Sequence, residues 1–508
     1  MKHNLAKKAA VTILSLLFIS FFGYFRTDLT TAFLGSFLFI LCIAPVGLWL
    51  TKKTKHLPLY EAYSFLTFFQ YWLPGGDEAG RIMNSPPELR QKILSILCLF
   101  LSVAAISYYT LLSHSPLVMR RSPFLNARLR LLSDVRFELL ILFWLFVALS
   151  IFIDSPTATQ RIPKDYYTIV RSVIASACAL TLFSLSVAFG RNQLHTFFAT
   201  AFFIGIGVLV TYDALSGFLI SALTSFGVCI LGYTLGTGRI PVVWCLVVLC
   251  FFSFLNLGKA EYRRLYWYEG KEAGPLTKLS DWYEASINEL HSRQQGRKAS
   301  QTIFERYDNT KVILTVVATT PGTLPFLNGK TYIDSLELFI PSFLYPNRKS
   351  VHQVMSEFGI RYGFLNHTQA KTTNIAIGAI SEAWANGGWV CIVLVAAFIG
   401  CFCATGVLLT QDRQPDEIGF LLSVPFSLTI AAGLFDAMLF SGLMSFSHRV
   451  FGILGFVFLS SIVWGTTERS GSKSAERGAE PPRSGSPKTA RPVMPEPAHP
   501  NLSSRKRR

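Results

Sequence analysis

The run Val242-Val243-Trp244-Cys245-Leu246-Val247-Val248-Leu249-Cys250-Phe251-Phe252-Ser253-Phe254-Leu255-Asn256-Leu257 gives way abruptly to Gly258-Lys259-Ala260-Glu261-Tyr262-Arg263-Arg264. The first part is apolar over nearly a bilayer's thickness, and the second carries four charges in seven residues. From Lys259 to Gly388 no further apolar run is long enough to cross a membrane, whereas such runs recur before and after it. The junction therefore marks a helix leaving a membrane and entering one large polar loop.

Composition agrees. Half of the 508 residues are hydrophobic and only 15% are charged, against roughly a quarter in soluble domains. The sequence predicts an all-α, polytopic integral membrane helix bundle of about 12 transmembrane helices with one large extracytoplasmic loop. Spans are expected at 8–25, 29–50, 57–74, 92–113, 137–153, 166–189, 196–213, 215–236, 239–257, 387–410, 417–439 and 447–466. The first follows Lys2, Lys7 and Lys8 like a signal peptide. It lacks a small-residue cleavage site and is read as an uncleaved helix. The segment 57–74, which carries Glu61 and Gln70, either spans or lies in the interface. Four regions follow: an N-terminal bundle (1–257), the loop with short helices (258–386), three C-terminal spans (387–467) and a disordered basic tail (468–508) rich in Ser, Pro, Gly, Lys and Arg.

The net charge of +17 is a topology signal rather than a nucleic-acid one. With the N-terminus inside, the inner segments hold 14 Lys and Arg and the short outer ones 7, the positive-inside pattern. The loop is then outside and both termini are cytoplasmic. All nine cysteines fall in apolar runs, so neither a disulfide framework nor a loop zinc site is expected.

A charge inside a span costs about 2.5–3.5 kcal/mol on insertion scales and needs a reason. Arg171 lies about two turns into the sixth span, and Asp213, Asp436 and Arg449 also fall at the outer ends of their helices. They read either as snorkelling or paired groups, or as parts of a site; Arg171, the deepest, favours a site. Glu61, near an inner end, reads as structural.

The loop contains Gly329-Lys330-Thr331-Tyr332, then Phe339-Ile340-Pro341-Ser342-Phe343-Leu344-Tyr345-Pro346-Asn347-Arg348-Lys349, then Phe358-Gly359-Ile360-Arg361-Tyr362-Gly363, and ends in Glu382-Ala383-Trp384-Ala385-Asn386-Gly387-Gly388. With Lys259-Ala260-Glu261-Tyr262-Arg263 at its start, this string resembles the Wzy-type oligosaccharide repeat-unit polymerases of O-antigen and exopolysaccharide synthesis. It departs from their pattern at Ser342, where Arg is usual, at Tyr345 for Trp, and at Trp384 and Gly387 for Tyr and Phe.

The resemblance implies a metal-independent glycosyltransferase without cofactor in the bacterial inner membrane. Donor and acceptor would both be undecaprenyl-pyrophosphate-linked oligosaccharides, alongside membrane lipids and a separate chain-length regulator protein. A lipid pyrophosphate leaving group needs fixed cations, and arginine's planar fork suits it. The candidates are Arg171, Arg263, Arg264, Arg348 and Arg361, with Lys259 and Lys349 as point charges. The loop's 15 Lys and Arg face 12 Asp and Glu, so each reads equally as a surface ion pair. Glu382 reads either as the base that orients the acceptor hydroxyl or as a helix-end carboxylate binding backbone amides. An O-antigen ligase would use the same donor and layout. A lipid-linked oligosaccharide flippase would more often show two matching halves, which a nine-plus-three split lacks.

Overall fold

A computed structural model describes residues 28–51, 57–73, 82–114, 122–133, 136–162, 164–217, 219–239, 241–294, 309–340, 344–345, 347–371, 375–411, 413–432 and 438–467. The expected first span, residues 295–308 of the loop, Ser342, Thr372–Asn374, Asp436 and the tail lie outside these residues.

The protein is an all-α polytopic helix bundle. Eight helices among the described residues are long and apolar enough to cross a membrane. The bundle helices before the loop are α1 (Leu29–Thr51), α2 (Leu59–Thr67, continued by a π turn, Phe68–Trp72), α3 (Pro87–Ser113), α4 (Arg136–Ile153), α5 (Lys164–Gly190), α6 (Thr196–Leu215), α7 (Leu219–Thr237) and α8 (Val242–Arg263). The loop supplies α9 (Pro275–Gln294), α10 (Thr310–Thr319), α11 (Lys330–Leu336) and α12 (Val351–Arg361). The chain then returns through α13 (Ala379–Thr410), α14 (Val424–Ala432) and α15 (Leu439–Trp464). Each expected span from the second onward overlaps a helix, but the helices at the third, eighth and eleventh are not among these eight. The third is α2, drawn inside the bundle with Glu61 and Gln70 both buried; the Tyr108 hydroxyl lies 3.3 Å from the Glu61 carboxylate.

Helices alternate in direction, so one end of the bundle gathers the end of α6, the end of α8 and the starts of α13 and α15. There Tyr262 Oη donates to Leu215 O at 2.6 Å, and the Arg263 guanidinium donates to Gly217 O at 3.0 Å. Gly217 closes the α6–α7 turn at φ +78°, a conformation that favours glycine. At the far end Arg413 Nε donates to Asn126 Oδ1, and a two-residue antiparallel strand pair joins Arg128–Leu129 to Thr466–Thr467.

Two cores form. One joins α1, α2, α3 and α13 with α10 and α12; the other joins α4 to α8 with Trp282 of α9 and the lower part of α15. Small residues allow the closest approaches. Gly232 and Gly236 of α7 lie against the α5 backbone, where a Cβ would meet Phe183 O at 2.7 Å and Val187 O at 2.6 Å. The loop is divided between the cores. Its first helix folds back along α8, with Trp282 Nε1 donating to Leu255 O at 2.7 Å and its ring stacked on Tyr262.

Two boundaries differ from the sequence expectation. The tenth span was to begin at 387, but α13 begins at Ala379 and bends at Gly387 and Gly388. Gly387 (φ −167°, ψ 26°) and Gly388 (φ +57°, ψ −135°) both leave helical geometry, so a short helix from Ala379 meets the spanning helix at a kink where the expected span begins. Glu382 therefore lies inside a helix rather than in the loop that precedes one. Similarly α15 starts at Leu439 rather than 447.

Candidate functional site

A cavity of about 510 Å³ lies within the second core among α4, α5, α6, α7, α14 and α15. That volume falls in the range of small-molecule sites, roughly 300–1,000 Å³. Its charged lining is Arg171, Asp154, Asp213 and Arg449, and hydroxyl groups of Ser172, Ser221, Thr224, Ser225, Ser445 and Tyr212 surround them. Such polarity between membrane helices is costly and marks a site rather than a packing defect.

Local sequence explains each position. Asp154 directly follows the apolar α4, and Arg171 sits in the second turn of α5 after the short Pro156–Arg161 helix reverses the chain. The two meet as a fork: Arg171 Nε to Asp154 Oδ1 at 3.0 Å and Nη2 to Oδ2 at 3.1 Å. Tyr167 Oη donates to Asp154 Oδ1 at 2.7 Å, and Tyr212 also reaches this carboxylate. Arg171 remains half exposed, with 57% of its side chain accessible, so its second face is open. Asp213 closes α6 and accepts a hydrogen bond from Ser225 Oγ at 3.0 Å.

Arg449 differs from all of these. Its Nη1 is buried and has no hydrogen-bond partner among the described residues. A guanidinium carries five donors in a fixed fork, so an unused buried one is an invitation to an anion. Its neighbour His448 feels the charge of Arg348, which brings a third arginine near this end of α15.

The remaining predicted cations are placed elsewhere, and none lines the cavity. Arg263 holds the Gly217 carbonyl and lies over the Trp267 ring at 4.2 Å. Arg264 is exposed and pairs with Glu261 and Glu269. Lys259 is buried within α8, 7% exposed. Arg348 donates to Leu338 O at 2.7 Å. Lys349 bridges Asp334 at 3.0 Å and Glu357 at 2.7 Å. Burial alone would lower the Lys349 ammonium's pKa, but these carboxylates hold it above its ordinary value. Asp334 is pushed up by burial and pulled down further by hydrogen bonds from Lys330 and Lys349, so its carboxyl ends below the usual range. Arg361 donates to Pro325 O at 2.7 Å. It lines a smaller loop cavity of about 150 Å³ with Lys330, Thr331, Asp334 and Glu357.

Glu382 belongs to a separate cluster. It is fully buried. Oε1 accepts from Thr331 Oγ1 at 2.8 Å, and Oε2 accepts from the Leu439 backbone N–H at 2.7 Å. Asn386 Nδ2 donates to Thr331 Oγ1 at 2.7 Å, and Leu327 N donates to Ala385 O. The Gly329–Tyr332 and Glu382–Gly388 pieces, 51 residues apart at their central contact, thus form one cluster at the start of α13. Its Oε2 accepts from the first backbone amide of α15, the kind of contact a helix-end carboxylate makes.

Sequence reasoning did not single out Asp154, Tyr212 or His448. A usable signal existed for Asp154: an arginine within a span needs a carboxylate on an adjacent helix, and Asp154 closes the preceding one. Among the described residues no three His, Cys, Asp or Glu side chains gather as a metal site.

A protein-family model described as a domain of unknown function, DUF8712, matches residues 91–410. The chain belongs to that family. The matched region runs from α3 to the end of α13, so it contains Arg171, Asp154, Asp213 and Glu382, while α15 with Arg449 lies beyond it. No curated protein and no solved structure matches the chain.

Proposed function

We propose that this membrane protein joins lipid-pyrophosphate-linked oligosaccharide repeat units by glycosyl transfer, as a polymerase at the outer face of a bacterial inner membrane. The observation that carries this reading is the cavity that pairs a half-exposed Arg171 with an Arg449 whose buried Nη1 has no hydrogen-bond partner among the described residues. Two arginines at the loop-bearing end of the helices suit a pyrophosphate that enters from the membrane, and the hydroxyl lining suits sugar. The motif resemblance in the loop and the excess of basic residues at the other end support the assignment of reaction and face.

In this reading the acceptor hydroxyl oxygen attacks the anomeric carbon of the donor sugar. The bond to the pyrophosphate oxygen breaks, and its electron pair leaves with the phosphate. Arg449 and Arg171 hold the developing charge. The acceptor proton passes to a carboxylate on the cavity wall, and Asp213 is the better placed, since Asp154 is bound by Arg171. Glu382 acts as a positioning residue: it fixes the first turn of α15, the helix that carries Arg449. Arg348, near His448, is available to the outer phosphate. Arg263, Arg264, Lys259, Lys349 and Arg361 build the loop and its attachment.

The test is in cells. With the gene deleted, surface polysaccharide resolved on a gel should show single-unit caps in place of a ladder. Loss of all caps would assign a ligase instead, and an unchanged ladder would refute both. Wild-type protein should restore the ladder, and Arg171→Ala should not. Alkaline-phosphatase fusions at Ala299 and Glu468 test orientation; activity only at the second would invert it.

A further inference from the structure

A second polar cavity, about 160 Å³, lies at the end of the bundle opposite the loop. Arg136 at the start of α4, Arg191 just after α5, Gln193, Ser184 and Asp416 line it. Arg136 Nη2 donates to Gln193 Oε1 at 2.6 Å and its Nη1 donates to Leu132 O. Arg191 is exposed and donates to the amide oxygen of Gln414 at 3.2 Å. Asp416 is one carboxylate against two guanidinium groups, and Arg128 Nε lies 3.8 Å from it on another side. Ser184 adds an independent observation. It is 7% exposed, and its hydroxyl is buried without a hydrogen-bond partner. Most serines inside these helices donate to a carbonyl of their own helix one turn back, as Ser186 does at 2.7 Å. Ser184 keeps its hydroxyl for something else.

We infer that this cavity binds a phosphate group, held by Arg191 and Arg136 with the Ser184 hydroxyl at its base. Guanidinium forks and a hydroxyl match phosphate oxygens, and basic cavities between membrane helices on the positively charged face are where anionic lipid headgroups bind. The neighbouring chain favours that source: Phe137, next to Arg136 on α4, is 54% exposed and Phe197, in the first turn of α6, is 70% exposed, so bare apolar surface of the kind acyl chains cover adjoins these residues. A soluble phosphate offers the same chemistry without acyl chains.

Thermal unfolding of the delipidated full chain in a neutral maltoside detergent distinguishes these. Phosphatidylglycerol, phosphatidylcholine and inorganic phosphate are titrated in parallel, since a ligand that binds only the folded state raises the midpoint. Phosphatidylglycerol should raise it at concentrations where phosphatidylcholine does not. Arg191→Gln should weaken the apparent affinity about fivefold, the effect of one basic side chain at an anionic lipid surface. Ser184→Ala should weaken it less while leaving the ligand-free midpoint in place. An equal shift from inorganic phosphate, still sensitive to Arg191→Gln, would keep the site and assign it to soluble phosphate. Equal responses to the two lipids, or an Arg191→Gln protein that responds as wild type does, would overturn the inference.

Discussion

Glu382 and Arg449 are both charged side chains held inside the helix bundle, one bonded to α15 and the other carried by it, yet their own hydrogen bonding differs. Glu382 is fully buried, and each carboxylate oxygen has a donor, one from a loop threonine and one from the first turn of α15. Arg449 lines a cavity and has a buried nitrogen with no partner among the described residues. A buried polar group whose bonds are complete serves architecture, because removing it strands its partners. A charge left incomplete beside open volume costs stability by itself, and that cost is retained where a ligand completes it. The contrast moves the proposed chemistry from the loop to the helices beneath it.

The largest effect should come from Arg449. Arg449→Ala should lower polymer synthesis about 100- to 1,000-fold, as loss of one fixed electrostatic contact to a leaving group does. Its thermal midpoint should stay level or rise, because an unpaired buried charge is removed. Rates and midpoints of the same purified samples decide the matter. Normal synthesis together with a fall in midpoint would make Arg449 structural and break the contrast.

Glu382 should behave in the opposite way. Glu382→Ala strands Thr331 and the Leu439 amide and should cost roughly 1–3 kcal/mol of stability. Glu382→Gln keeps an acceptor for one of these donors, so it should lose less stability and keep most of the specific activity of the folded protein. The pair of variants separates positioning from base catalysis. If Glu382→Gln were fully stable and inactive, the carboxylate itself would be chemical and the loop cluster would regain the role its motif suggested.

The sequence showed the helices more clearly than the site, and the reason is physical. A bilayer imposes length and hydropathy on each crossing separately, so α1 and α3 to α8 could be read one at a time. The start of α13 escaped because Glu382, Asn386 and the Gly387-Gly388 pair look like a loop by hydropathy; the backbone shows a short helix there, joined to the span at a kink. The cavity was harder still. Arg171 was visible as a charge within a span, but its meaning depends on Asp154 at the end of α4, Asp213 on α6 and Arg449 on α15. No local pattern specifies which face of one membrane helix meets which face of another. For the loop cations the structure adds the partners that type and position could not give. Arg264 and Lys349 suited phosphate by type and position, yet neighbouring carboxylates already hold them.

That last group gives the smallest effect and the cleanest control for the contrast. Asp334 lies on α11 in the loop and is held by Lys330 and Lys349, each at 3.0 Å. Its folded pKa lies below the ordinary 3.8. Its contribution to stability is therefore complete above the unfolded value and is lost as pH falls through the lower folded one. Partly exposed pairs of this kind are worth about 1 kcal/mol or less and weaken with salt. Asp334→Asn should consequently shift the midpoint slightly at neutral pH, and the difference from wild type should vanish in strongly acidic buffer and shrink in high salt. Polymer synthesis should be unchanged at neutral pH. A large loss of synthesis from Asp334→Asn, at unchanged stability, would instead draw the smaller loop cavity around Lys330 and Arg361 into the reaction, because nothing in the charge pairing alone connects Asp334 to Arg449.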